Sequence, residues 1–341
     1  MSVLAGVPDA AGTVADDLRA GLDVELARVY RSGLHEGTHY GALVLVDRDG
    51  TVLHRRGDVH RPVFHRSCAK PFQAVAMLDA GLRLAGADLA MAAASHTGED
   101  EHVALVRAGL AAGGLTEDDL GCPADLPSDP EARDAAVRRG ERPSRVYMNC
   151  SGKHAAMLRT CRTARWSTAN YLDPAHPLQR RVRATVERFA GPTHDIVGVD
   201  GCGSPVFATD LVGLARGFSA LVTAEPGSSA RAVADAMRRY PHLVGGRTSG
   251  DTLLMREIPG LLVKLGADGV QCFALPDGRA AAFKISDGAE RARLPIVLAA
   301  LDSLGVRTES VAASTLAITA RTVLGAGRPV GSVVAAPDLF R

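Results

Sequence analysis

A serine stands three residues before a lysine in "FHRSCAKPFQ", residues 64–73. At this spacing Ser67 and Lys70 share one face of a helix, so a neutral lysine can take the proton of an attacking serine. Pro71 fits the first turn of a helix, where backbone N–H groups favour a developing oxyanion, although the residue before a proline is strained in the α conformation. The alternative is that Ser67 caps a helix and Lys70 is solvated, and this stretch alone does not decide between them.

Lysine is scarce in this chain, since only four of its 39 basic residues are Lys and the rest are Arg. An ammonium can lose its proton inside a protein and a guanidinium cannot, so positions that keep lysine are enriched for chemistry. Lys70, Lys153 and Lys284 stand among other polar groups and are predicted to be functional. Lys264, in "LLVKLGADG", is predicted to be a strand-end or loop cation.

A polar loop, "SHTGED", residues 95–100, follows a run of small apolar residues. A buried strand or helix ending there would deliver Ser95 and His96 to a site. The stretch matches neither HExxH nor a zinc-deaminase pattern. Because a polar loop is more often only a loop, it supports a functional site only in combination with the other stretches.

Two cysteines stand in glycine-containing turns with nitrogen donors beside them. Cys150 and Cys202 can bind zinc together with Lys153 or His154, because two thiolates and one nitrogen leave zinc an open position. The alternative is that both are small core residues. That second interpretation is the prediction for Cys161 and Cys272.

Composition excludes several classes of protein. The chain has 341 residues, of which 46% are hydrophobic and 23% charged, as in a globular protein with a large core. A formal charge of +1 and 4% aromatic residues give no reason to expect nucleic acid or an anionic membrane surface. The sequence shows neither a secretory signal nor an apolar run of about 18 residues. We therefore predict a cytoplasmic protein with reduced cysteines.

Helical and strand patterns alternate along the chain, which predicts a mixed fold. A flexible N-terminal segment is predicted over residues 1–22, and a single catalytic domain with two lobes over 23–341. The predicted elements are a hairpin at 41–54, a helix from about Ser67, a buried stretch, loop and helix over 89–114, an exposed excursion at 121–145, a buried strand at 195–203, helices at 208–223 and 228–238, a hairpin at 270–288 and a final helix from about Ala289.

Five stretches together resemble one known family, the thermolabile, Rhizobium-type (class 3) L-asparaginases of the asparaginase II family. They occur in register between about residues 24 and 330, and they are "FHRSCAKPFQ", "SHTGED", "NCSGKHAAM", "VDGCGSPVF" and "KISDG". The resemblance implies an α+β fold similar to serine β-lactamases and glutaminases, with an antiparallel sheet flanked by helices and a mainly helical part. It also implies a homodimer and a zinc ion. Departures from the family pattern are small, at Cys68, Thr97 and Ala156.

The resemblance assigns a role to each candidate residue. Ser67 with Lys70 would form the first catalytic pair, and Ser95 with Lys284 the second. The zinc ligands would be Cys150, Lys153 and Cys202. The substrate-binding residues would be Arg66, His154, Asp200 and Asp287.

The implied reaction is hydrolysis of the side-chain amide of L-asparagine to L-aspartate and ammonia. Ser67, deprotonated through Lys70, would attack the amide carbon, and the Ser95–Lys284 pair would relay a proton to ammonia. One rival is a glutaminase, whose substrate differs by a methylene worth only about 1–3 kcal/mol. A penicillin-interacting enzyme is weakened because S-D-N and K-T-G are absent from the chain. The other rival class is an asparagine-binding sensor without turnover.

Overall fold

The computed structural model describes residues 23–314 and 321–341. Strands and helices are mixed along the chain, and the sheets are antiparallel, so the predicted α+β class is confirmed. The predicted segment 1–22 lies outside the described residues.

Strands begin and end the described part of the chain, and the helices lie between them. The strands are β1 Val24–Arg31, β2 Leu34–Val46, β3 Val52–Arg56, β4 Val63–Phe64, β5 Val197–Val199, β6 Pro205–Thr209, β7 Leu262–Gly266, β8 Val270–Ala274, β9 Ala280–Ile285, β10 Thr322–Gly325 and β11 Arg328–Ala335. The helices are α1 Lys70–Asp79, α2 Gly86–Ala92, α3 Asp100–Ala112, α4 Pro130–Arg138, α5 Ser151–Ala164, α6 Pro177–Ala190, α7 Leu211–Thr223, α8 Ser229–Arg239, α9 Pro241–Gly245, α10 Gly250–Glu257, α11 Arg293–Ser303 and α12 Glu309–Ala312. Short 3₁₀ helices lie at Arg66–Ala69, Glu117–Asp119, Arg145–Tyr147 and Glu290–Ala292.

The larger sheet has the strand order β10-β11-β1-β2-β9-β8-β7, and β3 also pairs with β2. Every residue of β8 and all but Lys284 of β9 are buried. Helix α7 packs across β2, β8 and β9, and α11 packs against β1 and β11. A strand buried at successive positions must be covered on both faces, so this part of the sheet forms the centre of the core.

The helical part is built around α1, which packs against α5, α6 and α8. The first eight residues of α1 are all buried. Phe72 stacks on Phe189 of α6 and meets Phe218 of α7 edge-on, with ring centroids 5.5 and 5.9 Å apart. These contacts fix α1, and with it the helix start that carries Lys70, between the sheet and the other helices.

Most of the predicted elements are confirmed, including both hairpins and the helices that became α3, α7 and α8. The predicted buried strand at 195–203 is wrong in extent and burial. Only Val197–Val199 is a strand, and Val199 is 81% exposed because β5 is an edge strand with one partner, β6. The predicted helix from about Ala289 is confirmed, since the 3₁₀ helix at Glu290–Ala292 runs into α11, but it is not the final element, because α12, β10 and β11 follow it.

Candidate active site

Ser67 and Lys70 lie on one tight turn. Ser67 is in the 3₁₀ helix that runs directly into α1, and the Lys70 N–H donates to the Ser67 carbonyl. Residues three apart in a 3₁₀ helix are eclipsed, so both side chains leave the turn on the same side. Lys70 has α geometry (φ −59°, ψ −37°) directly before Pro71, the strained arrangement that the sequence predicts.

The Lys70 amine is buried and bonds to the other predicted serine. Its Nζ lies 2.8 Å from Ser95 Oγ and 2.6 Å from the Ala94 carbonyl oxygen. Ser95 is held in place by its own backbone, since its N–H donates to the Val244 carbonyl at 2.8 Å. The loop after α2 thus delivers Ser95 to Lys70, as the sequence predicts for this polar turn.

Lys264 is the second lysine at Ser95, and the predicted partner of Ser95, Lys284, makes no hydrogen bond to it among the described residues. Lys264 Nζ lies 2.9 Å from Ser95 Oγ and 2.9 Å from the Leu265 carbonyl oxygen. Its side chain is fully buried within β7, so the prediction of a strand-end or loop cation is wrong. Burial, together with the nearby charge of Lys70, lowers the pKa of Lys264 to about 8.

Three contacts hold β7 where Lys264 can reach Ser95. The Cys68 thiol donates to the Lys264 carbonyl at 3.1 Å, which ties the 3₁₀ helix to the strand. A side chain at Gly266 would come within 2.7 Å of the His65 carbonyl oxygen, so only glycine permits this close approach. The buried Asp251 carboxylate accepts from the Leu265 N–H at 2.6 Å. Its negative charge raises the pKa of Lys264, opposing the larger effects of burial and Lys70.

Lys284 lies apart from Ser95. Its Nζ donates to the carbonyl oxygens of Asp268 and Ile285, both at 2.6 Å. It lines an open cavity of about 360 Å³ together with Arg66 and Arg61. Burial and the charge of Arg61 lower its pKa. The register of β9 explains the separation, because Lys284 pairs with Ala42 on β2 and Val270 on β8, two strands away from Lys264.

Arg66 connects the cavity at Lys284 to the turn that carries Ser67. Its Nε donates to Asp200 Oδ1 at 2.6 Å, and its Nη1 pairs with Asp268. Its φ of +50° lies in the left-handed region, which is strained for a residue with a side chain. The strained residue directly precedes Ser67, a placement typical of functional sites. The predicted residues Arg66 and Asp200 are thus in contact beside Ser67.

The predicted zinc ligands lie in one buried cluster. Lys153 Nζ is 3.0 Å from Cys202 Sγ and 2.9 Å from Ser204 Oγ. Hydrogen bonding to Cys150 and the charge of Lys153 hold the pKa of Cys202 far below its usual range, while the same bond raises the pKa of Cys150. Burial opposes protonation of Lys153, but the charges of Cys202 and Cys150 outweigh it and raise its pKa.

Thiolate sulfur and nitrogen are donors that zinc binds, and Cys150, Lys153 and Cys202 supply two sulfurs and one nitrogen. Within residues 23–314 and 321–341, no group of three or more His, Cys, Asp and Glu side chains is placed to hold a metal ion. The predicted set has only two such residues and a lysine, so zinc stays a prediction. The other predicted core cysteines, Cys161 and Cys272, are fully buried.

His154 and Asp287 lie outside the group of contacts around Ser95. His154 is fully buried, with Nδ1 2.6 Å from the Tyr171 hydroxyl and Nε2 3.5 Å from Ser204 Oγ. Burial lowers its pKa to about 4, so it is neutral. Asp287 pairs with His39 Nδ1 at 2.6 Å. Among the described residues, neither side chain forms a hydrogen bond with Ser67, Lys70 or Ser95.

Lys264 and Asp251 are the residues that sequence reasoning missed. One signal for Lys264 was present, since a charged residue inside the apolar run "LLVKL" is expected on a buried strand only if it has a partner. The stretch Lys264–Gly266 also matches two of the three positions of K-T-G. Nothing in the sequence marked Asp251, whose role depends on the distant strand β7.

The comparisons with known proteins were consistent with this architecture. The model of a family described as L-asparaginase II matches residues 27–335. No curated protein matches the chain.

Several solved structures are similar to this chain at low identity. A β-lactamase from Mycobacterium bovis is 17% identical with a TM-score of 0.43, over 77% of this chain and 94% of that one. Mglu in its native form is 14% identical with a TM-score of 0.43, over 79% of this chain and 65% of that one. EstCE1, described as a hydrolase with promiscuous acyltransferase activity, is 12% identical with a TM-score of 0.37, over 81% of this chain and 91% of that one.

Proposed function

Because the chain belongs to the L-asparaginase II family, we propose that it hydrolyses the side-chain amide of L-asparagine to L-aspartate and ammonia. The observation that carries the proposed mechanism is the row Lys70–Ser95–Lys264, in which two buried amines lie 2.8 and 2.9 Å from one hydroxyl. This row begins one helical turn from Ser67. Such an arrangement can take a proton from the nucleophile and deliver one to the leaving nitrogen, as cleavage of an amide by a serine requires.

Ser67 is the proposed nucleophile. Its hydroxyl loses a proton to the neutral amine of Lys70 as the oxygen forms a bond to the amide carbon. The Ser67 N–H is proposed as one donor to the resulting oxyanion. Ser95 is less suited to attack, since both lysines already engage its hydroxyl. Its position between the amines favours a relay instead.

The relay supplies the proton that the leaving group needs. The proton taken by Lys70 passes through Ser95 to the departing nitrogen, the C–N bond breaks, and ammonia leaves. Ser95 has a single hydroxyl proton, so the row works only while one flanking amine is neutral. With a pKa of about 8, Lys264 can be the neutral amine near neutral pH, and it can then take a proton from Lys70 through Ser95, which leaves Lys70 able to accept the proton of Ser67. Water then hydrolyses the aspartyl ester and restores Ser67.

Substrate recognition is proposed for the pair Arg66 and Asp200. A zwitterionic substrate needs a cation for its carboxylate and an anion for its ammonium, and these two side chains already lie together beside Ser67. His154 would support the site indirectly through Ser204. Asp287 has no contact that favours its predicted role in binding.

Zinc is proposed to bind Cys150, Lys153 and Cys202, after Lys153 and Cys150 lose their protons. When bound, zinc supplies a Lewis acid with an open coordination position. Lys153 and Cys202 join α5 to the turn that holds Asp200, so this cluster orders the loop beside Arg66. Homodimerisation and a cytoplasmic location stay predictions. None of the described helices is both long and apolar enough to cross a membrane.

The test measures ammonia released from L-asparagine and, separately, from L-glutamine by the purified full chain. Ser67→Ala should abolish release, and Ser303→Ala, at an exposed position at the end of α11, should leave it unchanged. Faster release from asparagine supports the proposal. Binding of asparagine without ammonia would instead indicate the sensor, and equal or faster release from glutamine the glutaminase.

A further inference from the structure

A cavity of about 240 Å³ lies between the start of α10, strands β7 and β8, and the start of α11. It is lined on one side by apolar side chains, among them Leu254, Leu294 and Val297. The polar side chains that line it include Arg293 and Asp251. None of the catalytic or substrate-binding residues proposed above lines this cavity, so it is separate from the site at Ser67.

Arg293 is a buried cation, and two of its three side-chain nitrogens have no hydrogen-bond partner among the described residues. Arg293 is 7% exposed, and its Nη2 donates to the Gly266 carbonyl at 2.6 Å. Its Nε and Nη1 are buried and have no partner among the described residues. Glu290 lies 3.7 Å from Nη2, but its side chain is 81% exposed and contributes little. Buried donors without acceptors are costly, so an acceptor delivered by a ligand would stabilise this arrangement.

The start of α10 adds a second feature that favours an anion. Ser249 and Gly250, at the N-terminus of this eight-residue helix, line the same cavity. Free N–H groups there carry partial positive charge. Asp251 lines the same cavity and keeps its negative charge, but its two oxygens accept from the Leu265 N–H at 2.6 Å and the Gln271 amide at 2.9 Å, and among the described residues it makes no ion pair with Arg293.

We propose that this cavity binds a small carboxylate with a short, branched aliphatic tail. The carboxylate would accept from Arg293, and the tail would lie against Leu254, Leu294 and Val297. A charge-assisted hydrogen bond to a buried guanidinium accounts for the anion, and the apolar wall accounts for the tail.

Occupancy of the cavity is coupled to Lys264 through three consecutive residues of β7. Arg293 holds the Gly266 carbonyl, Asp251 holds the Leu265 N–H, and the Lys264 amine donates to the Leu265 carbonyl. A ligand that draws Arg293 toward itself changes the restraint on this strand. This coupling rests on the proposed function, whereas binding itself does not.

The probe is 4-methylpentanoate, and its neutral control is 4-methylpentan-1-ol. Calorimetry with the full chain measures binding in the wild type, Ser67→Ala, Arg293→Met and Val297→Phe. Arg293→Met removes the cation, and Val297→Phe fills the cavity while leaving Arg293 in place. Thermal melting of each variant shows whether it is folded.

We expect 4-methylpentanoate to bind the wild type and Ser67→Ala equally. Its affinity should fall roughly 10- to 150-fold in Arg293→Met and for the alcohol, as expected for one charge-assisted hydrogen bond. Val297→Phe should also weaken binding. Failure of the carboxylate to bind at millimolar concentration, equal binding of the alcohol, or unchanged binding in folded Val297→Phe overturns the site.

The coupling is tested by turnover of saturating L-asparagine with the probe present. A changed kcat in the wild type, but not in Val297→Phe, supports it. Purely competitive inhibition, or binding without any change in kcat, contradicts it. If the wild type releases no ammonia at all, the proposed function fails, and the calorimetric result still decides whether the site exists.

Discussion

Replacing Lys264 by methionine removes the amine that lies 2.9 Å from Ser95, whereas Lys284→Met removes one that bonds only to carbonyl oxygens. We expect Lys264→Met to lower kcat/KM for L-asparagine by about 10²- to 10⁴-fold, the usual contribution of a positioned general acid or base. Lys284→Met is the matched control, and we expect a loss of less than about tenfold. Both substitutions remove one amine and leave an unbranched side chain of similar length.

The magnitude follows from the environment of Lys264. Burial and the charge of Lys70 lower its pKa from 10.5 to about 8. At pH 7 an amine with this pKa is neutral in about one molecule in ten, compared with roughly one in 3,000 at an ordinary pKa. The site thus raises the neutral fraction roughly 300-fold, which lies within the range expected for the loss of activity.

The assay is ammonia release between pH 6 and 10. Because the neutral amine becomes more abundant as the pH rises through about 8, wild-type kcat/KM should rise over that interval, and Lys264→Met should lack this dependence. Lys264→Arg should be as impaired as the methionine variant, since a guanidinium keeps its proton. A Lys264→Arg variant with most of its activity, or a Lys284→Met variant as impaired as Lys264→Met, would refute the reasoning.

Lys264→Met is also expected to raise the free energy of unfolding at pH 7 by up to about 3 kcal/mol, because between about pH 8 and 10.4 the unfolded chain keeps a proton that the native state releases. Denaturation at pH 7 should show this advantage of the variant, and denaturation above pH 10.4 should show that it has disappeared. Asp251→Asn should move the midpoint of the pH profile to lower pH, because the carboxylate charge raises the pKa of Lys264, and an unchanged or higher midpoint speaks against this role. Cys150→Ala and Cys202→Ala should each lose zinc on dialysis, whereas Cys161→Ala, at a buried core position, should retain it; retention by all three rejects the ligand set. Zinc affinity in the unmodified chain should fall as the pH is lowered, since protons compete for the ligands.

Local patterns were sufficient to predict the turn that carries Ser67 and Lys70. The spacing of the two residues and Pro71 depend only on geometry within one helix start, and the structure has the expected turn. The lysine count was also informative, since Lys70 and Lys153 are both buried and bonded to polar side chains. These predictions needed no knowledge of distant contacts.

The choice between Lys264 and Lys284 depended on the sheet. Both lysines lie on strands, and only the order of the strands shows which one faces Ser95. Reading each lysine by its neighbours in sequence favoured Lys284, because "KISDG" is polar and "LLVKLGADG" is not. A buried charge in an apolar strand is the stronger indication, since its burial must be compensated by a partner.

Long-range pairing explains the strands that sequence reasoning missed. Strand β1 pairs with β11 from the other end of the chain, with Ala27 opposite Ala335. The predicted final helix left no place for β10 and β11. The turns Ser32-Gly33 and Ala326-Gly327 join β1 to β2 and β10 to β11, but no local signal indicates that β1 pairs with β11, so this pairing is visible only in three dimensions.

The nucleophile is identified most directly by trapping the covalent intermediate. The protein is mixed with L-asparagine, quenched with acid during turnover, digested and analysed by mass spectrometry, with Ser67→Ala as the control. We predict an aspartyl ester on the peptide that contains Ser67 and none in the variant. An aspartyl ester on Ser95, or undiminished ammonia release by Ser67→Ala, contradicts the proposed mechanism.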